Sequence, residues 1–358
     1  MPTPPQSSTT VNLTAPITIS SAVSDVTYNV TAAISGTAIN LTTTGSLTRV
    51  VVRANNLAVN GVGGPGTVRD VAVFDATGSG FVGIKRFEGC VLGSKNHTDF
   101  RLTGSGVSLA PDAMIKSDDP DRFGIFLRDL SDSSFDGAFV ALNAGRTSGI
   151  SSATGIEYWE NVHGTTANVM VSKSHAGYGV AIYRSTNNTV RDLLTDGIAD
   201  PGLSIGGGAV NNVVDKATLR NSAIGLIIGE DVAGISHHNA VHTLRVENAG
   251  YGCVFLDRGS NTNTVGDAGG TTCINTGGAD LTHTSSVWIA NRPDQTGITP
   301  PFGNRVLGLA QSGTAVVPVY AVYLGPGTTE NTVVGSATSW RIAKVLNEGL
   351  VGSLALSG

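Results

Sequence analysis

Residues 176–190 read Ala-Gly-Tyr-Gly-Val-Ala-Ile-Tyr-Arg-Ser-Thr-Asn-Asn-Thr-Val. A glycine opens a short apolar run, Gly179-Val180-Ala181-Ile182, and an Asn-x-Val element, Asn188-Thr189-Val190, follows it. Both halves recur. The glycine-led half appears at Gly124-Ile125-Phe126-Leu127, Gly155-Ile156-Glu157-Tyr158, Gly202-Leu203-Ser204-Ile205, Gly225-Leu226-Ile227-Ile228 and Gly252-Cys253-Val254-Phe255. Successive glycines, Gly179 included, are 31, 24, 23, 23 and 27 residues apart. Periods of this size mark solenoids, in which each repeat is one rung that buries its apolar face against the next. Unequal steps then mean loops of unequal length inserted into a fixed rung.

The second half appears again at Asn212-Val213-Val214, Asn239-Ala240-Val241, Asn263-Thr264-Val265, Asn304-Arg305-Val306 and Asn331-Thr332-Val333. Asparagine tolerates the left-handed backbone of a sharp corner, and its amide can bond an identical amide one rung away. The column therefore predicts a stacked turn. Ala176-Gly177-Tyr178-Gly179 returns almost unchanged as Ala249-Gly250-Tyr251-Gly252, which places the phase independently of the choice of glycines.

Composition agrees. Glycine supplies 47 of 358 residues while charged residues make up only 14%, too few helix-favouring surface charges for an α-rich chain. Solenoids grow by adding rungs, so the length is read as one elongated domain. Residues 1–45, with alternation at Val11/Leu13, Ile17/Ile19 and Val26-Thr27-Tyr28-Asn29-Val30, form an N-terminal strand or cap. Residues 46–335 carry the rungs, with a long insertion from Gly266 to Gly303 that contains Trp288 and Pro300-Pro301. Residues 336–358 close the end.

No run of eighteen apolar residues and no basic-then-apolar leader occurs, which predicts a place in a virion or outside the cell without a cleaved signal, the cytoplasm being the alternative. The formal net charge is −5 with a pI of about 5.8, and no basic tract is present, so neither nucleic acid nor a membrane is expected as partner. Cys90, Cys253 and Cys273 are an odd number without Cys-x-x-Cys spacing, which predicts neither a disulfide framework nor a zinc site. Cys253 reads as core.

In coil length, strand rhythm and the Asn column, residues 45 to 335 resemble the right-handed parallel β-helix proteins of the pectate-lyase-like type, which include carbohydrate-active enzymes and bacteriophage tailspikes. The resemblance implies an all-β fold, a single-stranded right-handed parallel β-helix, and a polysaccharide held in a groove outside the stacked strands. Its tailspike branch implies a homotrimer with other virion proteins as partners. No cofactor is implied. Of the Asn-Thr-Asp, Asp-Asp and Gly-His-Gly elements of polygalacturonase-type hydrolases only Asp118-Asp119 is present, followed by Pro120. The calcium and arginine motifs of the lyases and the Asp-Pro-His-Asp of uronan epimerases are missing, with Asp119-Pro120-Asp121 and Asp200-Pro201-Gly202 as partial matches.

Five residues after each rung glycine stand Asp129, Glu160, Arg184, Gly207, Glu230 and Asp257, with Asp231 and Arg258 one further on. At a rung spacing of ~4.8 Å, Glu230 and Asp257 on one column would lie about 5 Å apart, the separation of a retaining carboxylate pair. Asp129 and Glu160 make a second catalytic pair, flanked by Tyr158 and Trp159, whose rings could stack on sugars. Arg184 and Arg258 would clamp anionic groups by two-pronged hydrogen bonds, with Tyr183 and Asp231 in the same substrate-binding set. The competing reading of every member is a solvated corner just past a strand.

No metal site is expected. The acidic Asp118-Asp119-Pro120-Asp121-Arg122 lacks a closed ligand spacing and reads as a solvated loop. His237 and His238, as neighbours in a strand, would point to opposite faces. Two further functions compete with a polysaccharide-binding spike: a lyase or isomerase working in the same groove, and a non-catalytic adhesive solenoid.

Overall fold

A computed structural model describes residues 9–53, 60–71, 73–75, 80–92, 100–230, 234–277, 284–291, 297–313, 315, 317–349 and 351–357. Among them there is no helix, and every pairing between strands is parallel, one rung on the next. The chain divides into two compact units, Met1–Gly177 and Tyr178–Gly358. Each is a parallel β-helix.

In the first unit the register stacks like on like. One interior column runs Ile17, Ile39, Val62, Phe81, Leu102, Leu127 and Tyr158. A second runs Val23, Leu47, Val68, Phe87, Leu109, Phe135 and Ala167, and a third Val91, Ile115, Phe139 and Met170. Three columns make a three-sided coil, and each fully buried member of Val, Leu or Phe size contributes roughly 1.5–3 kcal/mol. The strands Thr9–Leu13 and Ile17–Ile19 pair with Val26–Val30 and Thr37–Leu41 in the same parallel sense as later rungs.

The second unit repeats the plan with Val180, Leu203, Leu226, Val254, Val287, Val322 and Val345 on one side. Val190, Val214, Val241, Val265, Val306 and Val333 stack on another. Ser285–Ile289 pairs with Gly252–Leu256 and with Tyr320–Leu324, so Trp288 stands on a rung rather than in the expected insertion. At the C-terminal end, Ala343–Asn347 and Val351–Ser357 add one more parallel layer on Tyr320–Leu324 and Thr329–Ala337.

The Asn column is a buried ladder. The side-chain amide nitrogen of each Asn donates to Oδ1 of the next, from Asn188 to Asn212 (2.9 Å), Asn239 (3.0 Å), Asn263 (3.0 Å), Asn304 (3.0 Å) and Asn331 (3.1 Å). The same Oδ1 also accepts the backbone N–H of the Asn before it. Each amide from Asn212 onward also donates to a backbone carbonyl, those of Ser185, Ala209, Ser236, Ser260 and Pro301 in turn. The left-handed corner residue is not the ladder Asn but the one before it: Asn187, Asn211, His238, Thr262, Gly303 and Glu330 all have φ between 51° and 63°. The ladder holds the corner so firmly that even His, Thr and Glu are accepted there.

Cys253 and Cys273 form a disulfide with Cα atoms 5.8 Å apart, which corrects the expectation of none. The geometry follows from the column that precedes it. Gly179, Gly202 and Gly225 face Thr195, Leu219 and Val246 across a narrow interior; a Cβ at Gly225 would lie 2.6 Å from a Val246 methyl. In the next rung Cys253 takes the Gly225 position and Cys273 the Val246 position. The odd cysteine, Cys90, is partly buried in the first unit.

Candidate functional site

Strand alternation sends every second side chain outward. In the first unit Leu127 and Tyr158 point inward, so Phe126 with Glu157 and Arg128 with Trp159 point out in two adjacent columns. Tyr158 is therefore wholly enclosed in the coil, its phenol pushed to a higher pKa by burial, and offers no ring to a sugar. This corrects its assignment as a surface platform; Trp159 is the half-buried neighbour that stands outside. The Arg101 guanidinium lies 5.2 Å over the Phe126 ring.

Asp129 and Glu160 occupy left-handed corners, with φ 46° and 45°. Arg128 gathers them: its Nη2 donates to Glu160 Oε2 at 2.7 Å and its Nε lies 3.5 Å from Asp129 Oδ2. Asn161 donates to Asp129 Oδ1 at 2.8 Å. The two carboxylates are thus drawn around one cation at the surface, where such a pair adds only about 0–1 kcal/mol.

In the second unit the column on the other side of these strands reads Ala181, Ser204, Ile227, Phe255, Trp288, Tyr323 and Leu346, of which Trp288 and Leu346 are partly exposed and the rest buried. Rung stacking places Phe255 against Trp288 with centroids 5.7 Å apart and planes 25° apart, and Trp288 against Tyr323 at 4.6 Å. Tyr323 donates to Glu348 at 2.9 Å, and burial first, then that bond, holds its phenol above its ordinary pKa.

At the other end of this column three hydroxyls converge on Glu230. Ser204 Oγ donates to Oε2 at 2.8 Å, Tyr183 to Oε2 at 3.3 Å, and Tyr178 to Oε1 at 3.3 Å. Tyr183 and Ser204 are themselves 2.8 Å apart. The ring of Tyr183 lies over Gly206, where a Cβ would come within 2.5 Å of it. A side chain at position 206 would evict the tyrosine.

Glu230 and Asp257 do not share a column position. The register pairs Ile224 with Gly252 and Ile228 with Leu256, so Gly225 matches Cys253, Gly229 matches Asp257, and Glu230 matches Arg258. Asp257 is fully buried and accepts the Arg258 backbone N–H at 2.7 Å. Arg184 and Arg258 both sit in left-handed corners, φ 49° and 46°, the position held by Asp129 and Glu160 in the first unit. Asp231 lies outside the described residues.

Sequence reasoning missed Ser204 and Tyr178. Ser204 carried a signal, a polar residue between Leu203 and Ile205 in an otherwise aliphatic run; its partner 26 residues later needed the rung register.

The remaining clusters are tied up internally. Asp118 accepts from Asn143 at 2.9 Å, and Thr147 donates to Asp119. His237 and His238 do not diverge as neighbours in a strand would, because His238 turns a corner at φ 55° and brings the two Nδ1 atoms within 2.7 Å. His242 pairs with Asp267 at 2.7 Å. Among the described residues no group of three or more His, Cys, Asp or Glu is arranged to hold a metal ion.

No protein-family model matches the sequence, and no curated protein does. Solved structures with a similar chain path include a mutant of the periplasmic alginate epimerase AlgG, at 11% identity and TM-score 0.42 over 93% of this chain and 76% of that one. A PL6 alginate lyase in complex with a trisaccharide follows at 12% and 0.36, over 94% and 81%, and the Dettilon tailspike protein at 13% and 0.30, over 98% and 61%. Likeness at this level assigns this chain neither a family nor an activity.

Proposed function

We propose that the protein recognises a surface polysaccharide along the outward face of its stacked strands. The observation that carries this reading is the second unit's column from Ala181 to Leu346, where Phe255, Trp288 and Tyr323 follow one another rung by rung and Tyr183, Ser204 and Glu230 lie at its other end. Rungs repeat at ~4.8 Å, close to the length of a sugar ring, so a glycan lying along the column would meet the partly exposed Trp288, Tyr178 and Glu230, while Phe255 and Tyr323, buried on either side, hold the Trp288 ring in place. Aromatic rings take sugar C–H faces, while carboxylates and guanidinium groups take hydroxyls and anions. Arg184 and Arg258 supply the cations. In the first unit Trp159 and Arg128 offer the same combination.

Cleavage belongs to the proposal as a second capacity. One carboxylic acid would protonate the leaving oxygen while the other carboxylate acts as nucleophile or activates water. Glu160 with Asp129 is the pair standing at the surface; Glu230 would need a partner other than Asp257, which is fully buried and one register position away. Retention of the protein on at least one member of a panel of immobilised neutral and acidic polysaccharides is the expected result. Passage through every column at low salt removes the reading.

The spike form of the proposal adds a homotrimer released in a virion. Two features support it: the Cys253–Cys273 disulfide suits a place outside the reducing cytoplasm, and Val334, Trp340 and Ile342 expose apolar surface near the C-terminal end of the second unit. Light scattering should give three times the 36.5 kDa chain mass. A single-chain mass removes the trimer and leaves glycan binding to be judged on the panel.

A further inference from the structure

The interior of the second unit changes character at one coil. Before it, the facing residues at one corner are Gly202 with Leu219 and Gly225 with Val246, an apolar contact in each rung. The next facing pair is the Cys253–Cys273 disulfide, with both residues fully buried. One rung further the register puts Ser286 at the Cys253 position and Gln311 at the Cys273 position.

From the disulfide onward this corner is filled by polar groups. Ser286 Oγ shares a 2.8 Å bond with the Thr276 hydroxyl, and Gln311 Nε2 donates to Ser339 Oγ at 3.0 Å. Thr271, Thr284 and Ser285, none more than 2% exposed, each keep a hydroxyl with no hydrogen-bond partner among the described residues. A buried hydroxyl left unpaired costs stability instead of adding it. The strands Ser285–Ile289, Arg305–Ser312, Tyr320–Leu324 and Thr329–Ala337 stack in turn on the disulfide-bearing coil, residues 252–276. Each repeat of a solenoid is held by its neighbours, so these later rungs depend on that coil staying closed.

We propose that the disulfide is a redox latch for residues 252–337. Oxidised, it holds the coil on which the later rungs are stacked; reduced, it lets that segment open as one block while residues 180–228 stay closed. The bridge joins cysteines 20 residues apart, and constraining a loop of that length makes the opened block about a hundredfold less populated. Closing the latch joins the two Sγ atoms and passes two electrons and two protons to an external disulfide such as oxidised glutathione, which leaves as two thiols. Neither cysteine is open to a reductant while the coil is closed, so the latch is exchanged through the open block. Phe255, Trp288 and Tyr323 all lie on the latched segment. On the glycan-binding reading this puts the aromatic part of the column under redox control; the latch itself stands without that reading.

The test is hydrogen exchange at neutral pH, read by mass spectrometry on the full chain refolded with either oxidised glutathione or excess dithiothreitol. Amides in Gly252–Leu256, Thr264–Ile274, Ser285–Ile289 and Tyr320–Leu324 should exchange tenfold to a hundredfold faster in the reduced protein. Those in Val180–Tyr183 and Val213–Ile228 should stay within about threefold of their oxidised rates. Cys253→Gly with Cys273→Val copies the Gly225–Val246 pair without a bridge, so it should exchange as the reduced protein does and ignore dithiothreitol.

Equal exchange in the oxidised and reduced proteins overturns the latch. Acceleration spread over the whole second unit, up to failure of the reduced chain to fold, overturns it too, because the bridge would then be a general staple. A double variant that exchanges as slowly as the oxidised protein also overturns it, since packing alone would hold the block. None of these readouts involves a glycan, so failure of the latch and failure of glycan binding are told apart.

Discussion

Between pH 7 and pH 4 the protein should lose about 3 kcal/mol of stability through a single side chain, His175. This histidine is fully buried in the first unit, and its Nδ1 accepts the backbone N–H of Ala144 at 2.9 Å, which requires a neutral ring. Burial is the main reason that its pKa is pushed down to about 3, with the Arg146 charge acting in the same direction and a backbone bond at Ala141 opposing both. An unfolded chain protonates the same ring near 6.5. Between those values the unfolded state binds the extra proton, so the stability from keeping His175 neutral is complete above about pH 6.5 and drains away as the pH falls towards 3.

Protonation would also remove the acceptor for Ala144 at the start of a loop that Gly145 and Thr147 tie to Pro120 and Asp119. His175→Gln keeps an acceptor and removes the titration. It should cost about 1–3 kcal/mol at pH 7 and then lose far less than wild type on going to pH 4. Guanidinium unfolding at the two pH values measures this. Equal acid losses in the two proteins would refute the assignment.

The periodic part of the fold was legible because a solenoid writes the same physical demand into each rung. Gly179, Gly202 and Gly225 face bulkier partners across a narrow interior, and Asn188 to Asn331 must bond their own kind, so both columns survive loops of any length between them. The candidate site was less legible because it depends on single-residue register. Gly252 repeats the local phrase but lies opposite Ile224, one residue out of phase, so counting from it carried Asp257 onto the position opposite Gly229 instead of Glu230. A slip of one residue in a strand exchanges its two faces.

Tyr158 failed for a related reason. Nearness to Glu160 in sequence does not set its direction, whereas the alternation Ile156 in, Glu157 out, Tyr158 in does. The disulfide was hidden by arithmetic on three cysteines, and only the facing columns show that Cys253 and Cys273 occupy one cross-section. Ser204 and Tyr178 converge on Glu230 from 26 and 52 residues away. No local motif could encode that convergence.

Cutting the Asn ladder in its middle should be the most damaging single polar substitution in the second unit. Asn239 Oδ1 accepts both the backbone N–H and the amide of Asn212, each at 3.0 Å, and its own amide serves Ala209 O and Asn263 Oδ1. Asn239→Ala strands two buried donors of Asn212 at once, its backbone N–H and one amide hydrogen, while Ala209 O keeps the His237 N–H at 3.1 Å. At about 1–3 kcal/mol for each buried group left without its partner, the loss should be about 2–6 kcal/mol. Asn239→Asp discriminates polarity from packing: it keeps the acceptor for Asn212 but turns a negative oxygen towards Ala209 O and Asn263 Oδ1, so it should cost at least as much as alanine despite being nearly isosteric. The comparison residue is Asn248, in the solvent-exposed ladder Asn221–Asn248–Asn275, where water replaces any lost bond. Asn248 also sits at φ 58°, which glycine adopts without strain, and Asn248→Gly should stay within about 1 kcal/mol of wild type. Denaturant midpoints for the three variants order the two ladders. If Asn239→Ala melts no earlier than Asn248→Gly, the buried amides are ornaments of a fold that its aliphatic columns already hold.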